Sequence, residues 1–353
     1  IDLTGTLAAE PELLRRSLDI AVEHPETDLI AVLLGNSDAS ADQLVDAIAA
    51  SGQSTRRPIV VVWTGGNGRA GDRLRRLGIP CFTDAGRAAA ALGLLTDHSL
   101  RTELEVPTRP DDIDVRAARR IVAVARSQGR VQLDEAESTR LIAAYGVPTA
   151  AQLVATTADD AVRALDELGG PVALKVLSTK IAHKSDVGGV VLGLTDADAV
   201  REAADQVLSI AVRQGDPDAH LLVQQMAEPG VELIAGLKHD PVFGPVVVVG
   251  LGGILVEVLG DSRVAVAPLS SGTAHGLLTG LRGAAMFGPV RGRPARDLTT
   301  AADIVSRLSW LANDLASNLA ELDVNPLILG PEGASTVAVD CLALLSDPTR
   351  AEE

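Results

Sequence analysis

VALKVLSTKIAHKSDVGGVV, residues 172–191, is the stretch whose reading decides the fold. Its opening apolar run places Lys175 inside a strand. A polar turn with His183, Lys184 and Asp186 follows, then Gly188–Gly189, and then a second apolar run, Val190 to Leu194. Strand, glycine-containing loop and strand describe a hairpin lid over a phosphate chain. Paired glycines let the backbone come close to an anion and offer it their N–H groups. Two lysines and a histidine at one end of a hairpin are costly unless something anionic comes there. The stretch alone reads equally as an ordinary hairpin with a solvated tip.

Outward from this stretch, composition indicates an enzyme-sized α/β chain. A length of 353 residues suggests two or three domains. With 46% hydrophobic but only 2% aromatic residues, Ala, Val and Leu must fill the cores, as in proteins with β-branched parallel strands. A net charge of −16 disfavours nonspecific nucleic-acid binding but leaves nucleotides open. No apolar run approaches the ~18 residues of a membrane span, and no secretory signal stands at the start. The expectation is a cytoplasmic protein with neither membrane nor nucleic acid as partner. Cys81 and Cys341 lie far apart without a CxxC, which argues against a disulfide scaffold or a thiolate zinc site. The chain opens at Ile1 without a methionine, so it is expected to be a fragment of a longer polypeptide.

Residues 1–98 alternate strands (28–35, 58–65, 79–83) and helices (41–50, 69–77, 85–95), the rhythm of a small parallel sheet wrapped by helices. The TGGNG turn at 64–68 follows a strand, where ligands of such sheets sit, yet without G-x-G-x-x-G it reads as plain loop geometry. A proline-punctuated linker follows, then a helix over 111–127 with Asp111 as N-cap and Gly129 as stop. Asp134 caps a helix over 133–145, and helices over 158–168 and 197–213 start near Thr157 and beyond Asp196. Strands at 220, 232, 245, 254 and 262, with few helices between them, suggest an antiparallel sheet. Helices follow over 271–281 and 300–318, and the chain closes with strands over 320–329 and 336–341. Asn325 and Asp340, on neighbouring strands of that last hairpin, could share one magnesium ion with nucleotide phosphates. Magnesium takes one or two protein ligands, the rest being phosphate oxygens and water. Glu321 reads as capping or pairing with an arginine, and Asp323 as facing solvent.

Three stretches, VALKVLSTKIAHKSDVGGVVLGL, EPGVELIAGLKHDPVFGPVVVVGLGGILVEVLGD and AELDVNPLIL, together resemble the ATP-grasp module of the NDP-forming acyl-CoA synthetases, relatives of succinyl-CoA synthetase. The helix-turn over 133–148 and RGRPARDL at 291–298 also fit. Residues 1–98, opening with IDLTG, resemble the small flavodoxin-like domain of the same family. The expected fold is therefore α/β: a small parallel flavodoxin-like domain followed by an ATP-grasp fold of two α+β subdomains. The expected boundaries are 1–98 for the first domain, 99–130 for linker and helix, 131–223 for the lid subdomain and 224–353 for the large subdomain.

The resemblance implies roles residue by residue. Lys175 resembles the strand lysine that contacts nucleotide phosphates, and Lys184 with Gly188 and Gly189 the glycine-rich lid. Gln224 lies where the adenine or ribose hinge is expected, with Gln225 serving in another register, and Glu232 resembles the ribose-binding carboxylate. Asn325 and Asp340 resemble magnesium ligands. His183 resembles a histidine of phosphoryl relay, and Glu257, in GLGG-x-x-x-E, a carboxylate near that relay. Phosphoryl transfer needs charge neutralisation and in-line positioning more than covalent work by the protein. A histidine with a pKa of ~6.5 keeps a free ring nitrogen near neutral pH.

The activity implied for the full protein joins a carboxylate to coenzyme A with ATP, giving acyl-CoA, ADP and phosphate, with Mg2+ and a phosphohistidine. The CoA-binding domain and the domain with the phosphorylated histidine are not visible here. They are expected as partners, preceding this chain or on another subunit, and a homo-oligomer is expected from the family. One alternative belongs to another class: the acyl-CoA-synthetase-like regulatory or scaffold region of a protein-lysine acetyltransferase. A biosynthetic ATP-grasp ligase would share the nucleotide site but not the flavodoxin-like domain or the HKSDVGGV lid.

Overall fold

A computed structural model describes residues 1–3, 7, 10–99, 106–181, 184–253, 260–289, 292, 294–333 and 336–346. The chain divides into two compact units, Ile1–Glu103 and Leu104–Glu353.

In the first unit β1 (Ile30–Leu34), β2 (Ile59–Trp63) and β3 (Cys81–Phe82) form a parallel sheet in that order. Helices α1 (Glu12–Glu23), α2 (Ala41–Ser54), α3 (Arg69–Arg76) and α4 (Ala85–Ser99) alternate with the strands. The central β2 is apolar at every position and buried throughout. The edge strand β1 alternates and exposes Leu33, because only one of its faces meets the core of Leu14, Leu18, Leu44 and Ile48. In the TGGNG turn the Asn67 amide donates to Asp38 Oδ2 at 3.1 Å, so the chain's own carboxylate occupies the turn.

The second unit begins, in its described part, with the approach to α5 (Val115–Ser127). Asp114, not Asp111, is the N-cap: its carboxylate reaches the Ala117 amide at 2.9 Å, while Asp111 lies in the preceding turn. Helix α6 (Glu135–Ala143) opens on a capping box in which Asp134 and Glu137 satisfy each other's amides. Strands β4 (Gln152–Ala155), β5 (Val172–Leu177), β6 (Val190–Leu194) and β7 (His220–Gln225) form an antiparallel sheet in the order β4-β7-β5-β6. Helices α7 (Ala158–Leu168) and α8 (Ala197–Arg213) share a core with one face of it.

A six-stranded antiparallel sheet holds β10 (Ser262–Val266), β9 (Gly244–Leu251), β8 (Val231–Asp240), β11 (Leu319–Leu329) and β12 (Val337–Ala338), with β13 (Cys341–Leu345) also on β11. Helices α9 (Ser271–Thr279) and α10 (Leu298–Asp314) share its core. The strand at 220 thus leaves the sheet in which the sequence pattern put it. Between Gln225 and Val231 the chain passes Pro229, which has no N–H to continue a ladder, and β7 is already paired on both edges by β4 and β5. The expected strand at 254–259 lies outside the described residues. The expected strand 336–341 is broken at Val339–Asp340, between β12 and β13. Among the described residues no helix is long and apolar enough to cross a membrane.

The entry to α6 is clamped by Arg130, which donates to both Glu137 oxygens at 2.5 and 2.7 Å. Burial pushes the Glu137 carboxyl up, but Arg130 and the Asp134 amide outweigh it and hold its pKa below the ordinary value. A depressed carboxylate stabilises fully above its unfolded pKa of ~4.3, and the contribution is lost as pH falls through the lower folded value. Glu137→Gln is therefore expected to lower Tm at pH 7 and to lie closer to the parent at pH 3. Thermal melts at the two pH values check this; an equal difference at both would contradict it.

Candidate active site

Strand β5 alternates its side chains. Leu174 and Val176 face the core with α7 and α8. Leu177, on the other face, packs with Leu222 and with Ala136 of α6. Lys175 shares this second face, and the first turn of α6 lies over it. Lys175 Nζ donates to Glu135 Oε1 at 2.6 Å and to the Val339 carbonyl at 3.2 Å, and it lies 4.0 Å from Asp340 Oδ2. The two side chains are 6% and 1% exposed, a buried ion pair.

The second Glu135 oxygen accepts from Lys184 Nζ, which also lies 3.8 Å from Asp340 Oδ1. Burial alone would lower the Lys184 pKa; Glu135 and Asp340 outweigh it, so the side chain stays an ammonium. Lys184 owes its place to the glycine turn. The Gly189 amide donates to the Lys184 carbonyl at 2.7 Å, and the Gly188 amide to the Ser185 carbonyl at 3.2 Å. A Cβ on Gly189 would meet Val176 Cγ1 at 2.8 Å. The paired glycines were expected to turn their N–H groups to an anion. Those groups are engaged inside the turn instead, and Gly189 serves close packing that sets Lys184 over the strand. The base of the loop is fastened by Asp216, which accepts from Ser178 Oγ at 2.5 Å and from Lys180 Nζ at 2.9 Å.

Opposite the lysines, the Asn325 amide donates to the Asp340 carbonyl at 3.1 Å, so the last hairpin holds the two residues side by side. Asp323, Asn325, Asp340, Lys184 and Glu135 line one cavity of about 160 Å³. Asp323, read from sequence as solvent-facing, is in fact part of this wall, because its strand turns that face towards the cavity. Burial, then Glu321 and Asp340, raise the Asp323 pKa. Asp340 is raised by burial and by Glu135 against the pull of the two lysines. No group of three His, Cys, Asp or Glu side chains with metal-binding geometry occurs among the described residues. The two carboxylates and the amide oxygen on this wall nonetheless fit a magnesium ion whose other ligands are phosphate oxygens and water.

Gln224 is 1% exposed, and its Nε2 donates to Gln152 Oε1 at 3.0 Å and to the Val339 carbonyl at 2.9 Å. It ties the four-stranded sheet to the break between β12 and β13. Gln225 is exposed on the other side of β7. Glu232 is exposed at the start of β8, paired in register with Ile328, and its carbonyl accepts from the Gly252 amide at 2.7 Å. It does not line the lysine cavity. His183 and Glu257 lie outside the described residues.

Sequence reasoning did not find Glu135, Asp323 or the Val339 carbonyl. The only local trace of Glu135 is its place one residue after a cap whose box is completed by Glu137, so that its carboxylate is not needed for the box.

Residues 124–344 match the family of the ATP-grasp domain. The chain is 33% identical over 345 residues, 96% of its length, to acetate–CoA ligase [ADP-forming] I of Archaeoglobus fulgidus, and it spans about half (49%) of that protein. It is 32% identical over 231 residues to the beta subunit of acetate–CoA ligase [ADP-forming] II of Pyrococcus furiosus, covering 65% of this chain and 98% of that subunit. Among solved structures it is similar to the dinucleotide forming acetyl-coenzyme A synthetase 1 of Ca. Korarchaeum cryptofilum, in complex with coenzyme A and Mg-AMPPCP and with its phosphohistidine segment pointing towards the nucleotide binding site. The TM-score is 0.57 at 34% identity, over 65% of this chain and 100% of that one. The order of motifs, the two antiparallel sheets and these likenesses agree: the chain belongs to the ADP-forming acyl-CoA synthetase family, and it carries that family's ATP-grasp domain.

Proposed function

We propose that the chain binds a magnesium nucleotide with its phosphate chain in the cavity lined by Lys184, Asp340, Asn325 and Asp323, with Lys175 joined to it through Glu135. There it transfers a phosphoryl group for an ADP-forming acyl-CoA synthetase. The observation that carries the reading is the convergence of two ammonium groups, from a strand and from a glycine turn, on Glu135, beside a cavity that Glu135 and Lys184 line together with Asp323, Asn325 and Asp340.

In this reading the lysines neutralise phosphate oxygens and hold the chain in line, which is most of what such a reaction asks of a protein. The carboxylates and Asn325 would hold Mg2+, which when bound would neutralise charge on the phosphates. Asp216 keeps the loop base fixed, so that Lys184 approaches from a constant direction. Glu232 is assigned to the ribose, and Gln224 to the adenine or ribose hinge. His183 is assigned to the phosphoryl relay, with Glu257 beside it. The overall reaction, carboxylate, coenzyme A and ATP to acyl-CoA, ADP and phosphate, would need the CoA-binding and phosphohistidine domains, on the same polypeptide or on another subunit. The location is proposed as the cytoplasm, where ATP and coenzyme A are available.

Titration calorimetry with ADP and a non-hydrolysable ATP analogue tests the reading. Binding is expected in millimolar magnesium and is expected to disappear with EDTA. Asp340→Asn should raise the magnesium requirement by at least the roughly 10-fold that even an outer-shell metal partner is worth. No binding of either nucleotide would favour the scaffold alternative.

A further inference from the structure

Resting on that reading, we propose that Glu135 is the positioning residue of the phosphate site, the group that aims Lys175 and Lys184 together. Four observations carry it. Its carboxylate is 1% exposed and takes no part in the capping box, which Asp134 and Glu137 complete between themselves. Each of its oxygens takes one lysine, Oε1 that of the strand and Oε2 that of the glycine turn. The two lysines are close enough to repel each other, and both also lie within 4.0 Å of Asp340. A carboxylate between them removes that repulsion and fixes their separation.

The donors left over matter as much. An ammonium has three N–H groups. Lys175 gives one to Glu135 and one to the Val339 carbonyl, which leaves one for a ligand. Lys184 gives one to Glu135. Glu135 therefore need not be displaced when phosphate arrives: it keeps both stems in place while the remaining N–H groups meet the ligand. A strand lysine oriented by a helix glutamate is also how protein kinases hold theirs, on an unrelated fold. Burial beside two cations makes Glu135 expensive unless both stay, so the three groups act as one unit.

The experiment is a double-mutant cycle on the whole chain, read as the Kd for Mg·ADP in the parent, Glu135→Gln, Lys184→Met and the double variant. Glutamine keeps the shape but turns an N–H2 towards one lysine. Glu135→Gln is expected to weaken binding about 10-fold or more. In the Lys184→Met background the same change is expected to cost less than about 3-fold, because the group it acts through is gone. Equal fold-changes in both backgrounds would mean a merely structural role and overturn the proposal. Tighter binding by Glu135→Gln would overturn it too, by making Glu135 a competing anion. Should Glu135→Gln fail to fold, Glu135→Asp keeps the charge but is a methylene too short to span both lysines. An unchanged Kd there overturns the proposal. A parent that binds while Glu135→Gln matches it sinks this inference alone, whereas a parent that binds no nucleotide sinks the functional reading and this inference with it.

Discussion

Lys175→Met is expected to raise the Kd for Mg·ADP at least ~100-fold, close to 3 kcal/mol. Methionine replaces the stem and fills the same volume, so the loss is that of the ammonium. That ammonium sits on the second face of the central strand β5, 6% exposed, where no water can take over its role. Charge-assisted hydrogen bonds to a desolvated partner are among the strongest single contacts a protein makes. The variant should still fold. Glu135 keeps Lys184, so its carboxylate is left half paired rather than bare. The stability cost is expected at about 2 kcal/mol, below the 3–5 kcal/mol of an orphaned buried charge. Tm should fall by roughly 4–8 °C. Calorimetry and a thermal melt separate the two effects. A folded variant that binds within 3-fold of the parent would show that the phosphates lie elsewhere.

Gly230→Ala is expected to be the most damaging small substitution in the second unit. A Cβ there would stand 2.3 Å from the Leu329 carbonyl oxygen and 2.6 Å from Ile328 Cγ2. The nearest of these atoms belongs to the backbone of β11, held in register by β8 on one side and β12 and β13 on the other, so it cannot swing away as a side chain would. Overpacking against such a frame costs about 3 kcal/mol, which for a unit of this size lowers Tm by roughly 6–12 °C. The strain has a functional side. Gly230 stands two residues before Glu232, and Leu329 lies on the strand that carries Asp323 and Asn325. Nucleotide affinity should fall together with stability. A melting shift below about 2 °C would show that the two strands part more easily than their pairing suggests.

Much of the fold follows from patterns within a few residues. The caps at Asp134, Thr157 and Asp196 each stand directly before their helices. The four consecutive valines after Pro245 lie in β9. Lys175 lies on a fully buried strand whose antiparallel partner is the apolar run beyond the glycines. Asn325 and Asp340 meet across one hairpin. Where the local reading slipped, the competing cause was also close at hand. Asp111 and Asp114 are both good caps three residues apart, and only the backbone turn between them decides which carboxylate reaches an open amide.

The amino-acid sequence by itself determined the order of elements, the lysine hairpin, the oxygen-bearing last hairpin and, through motif order, the family. These depend on period, turn chemistry and capping, all of which act over short spans of chain. Only the tertiary structure decided that Glu135 joins the two lysines, that Asp323 faces the cavity, and that Val339 lends its carbonyl to Lys175 and Gln224. Glu135 and Lys175 are 40 residues apart in the chain, and Lys175 and Val339 are 164 apart. No local propensity records such a meeting. A buried charge must find its counter-charge wherever packing brings one, and only the packing of α6 and of the β12–β13 break over β5 brings these groups within reach of one another.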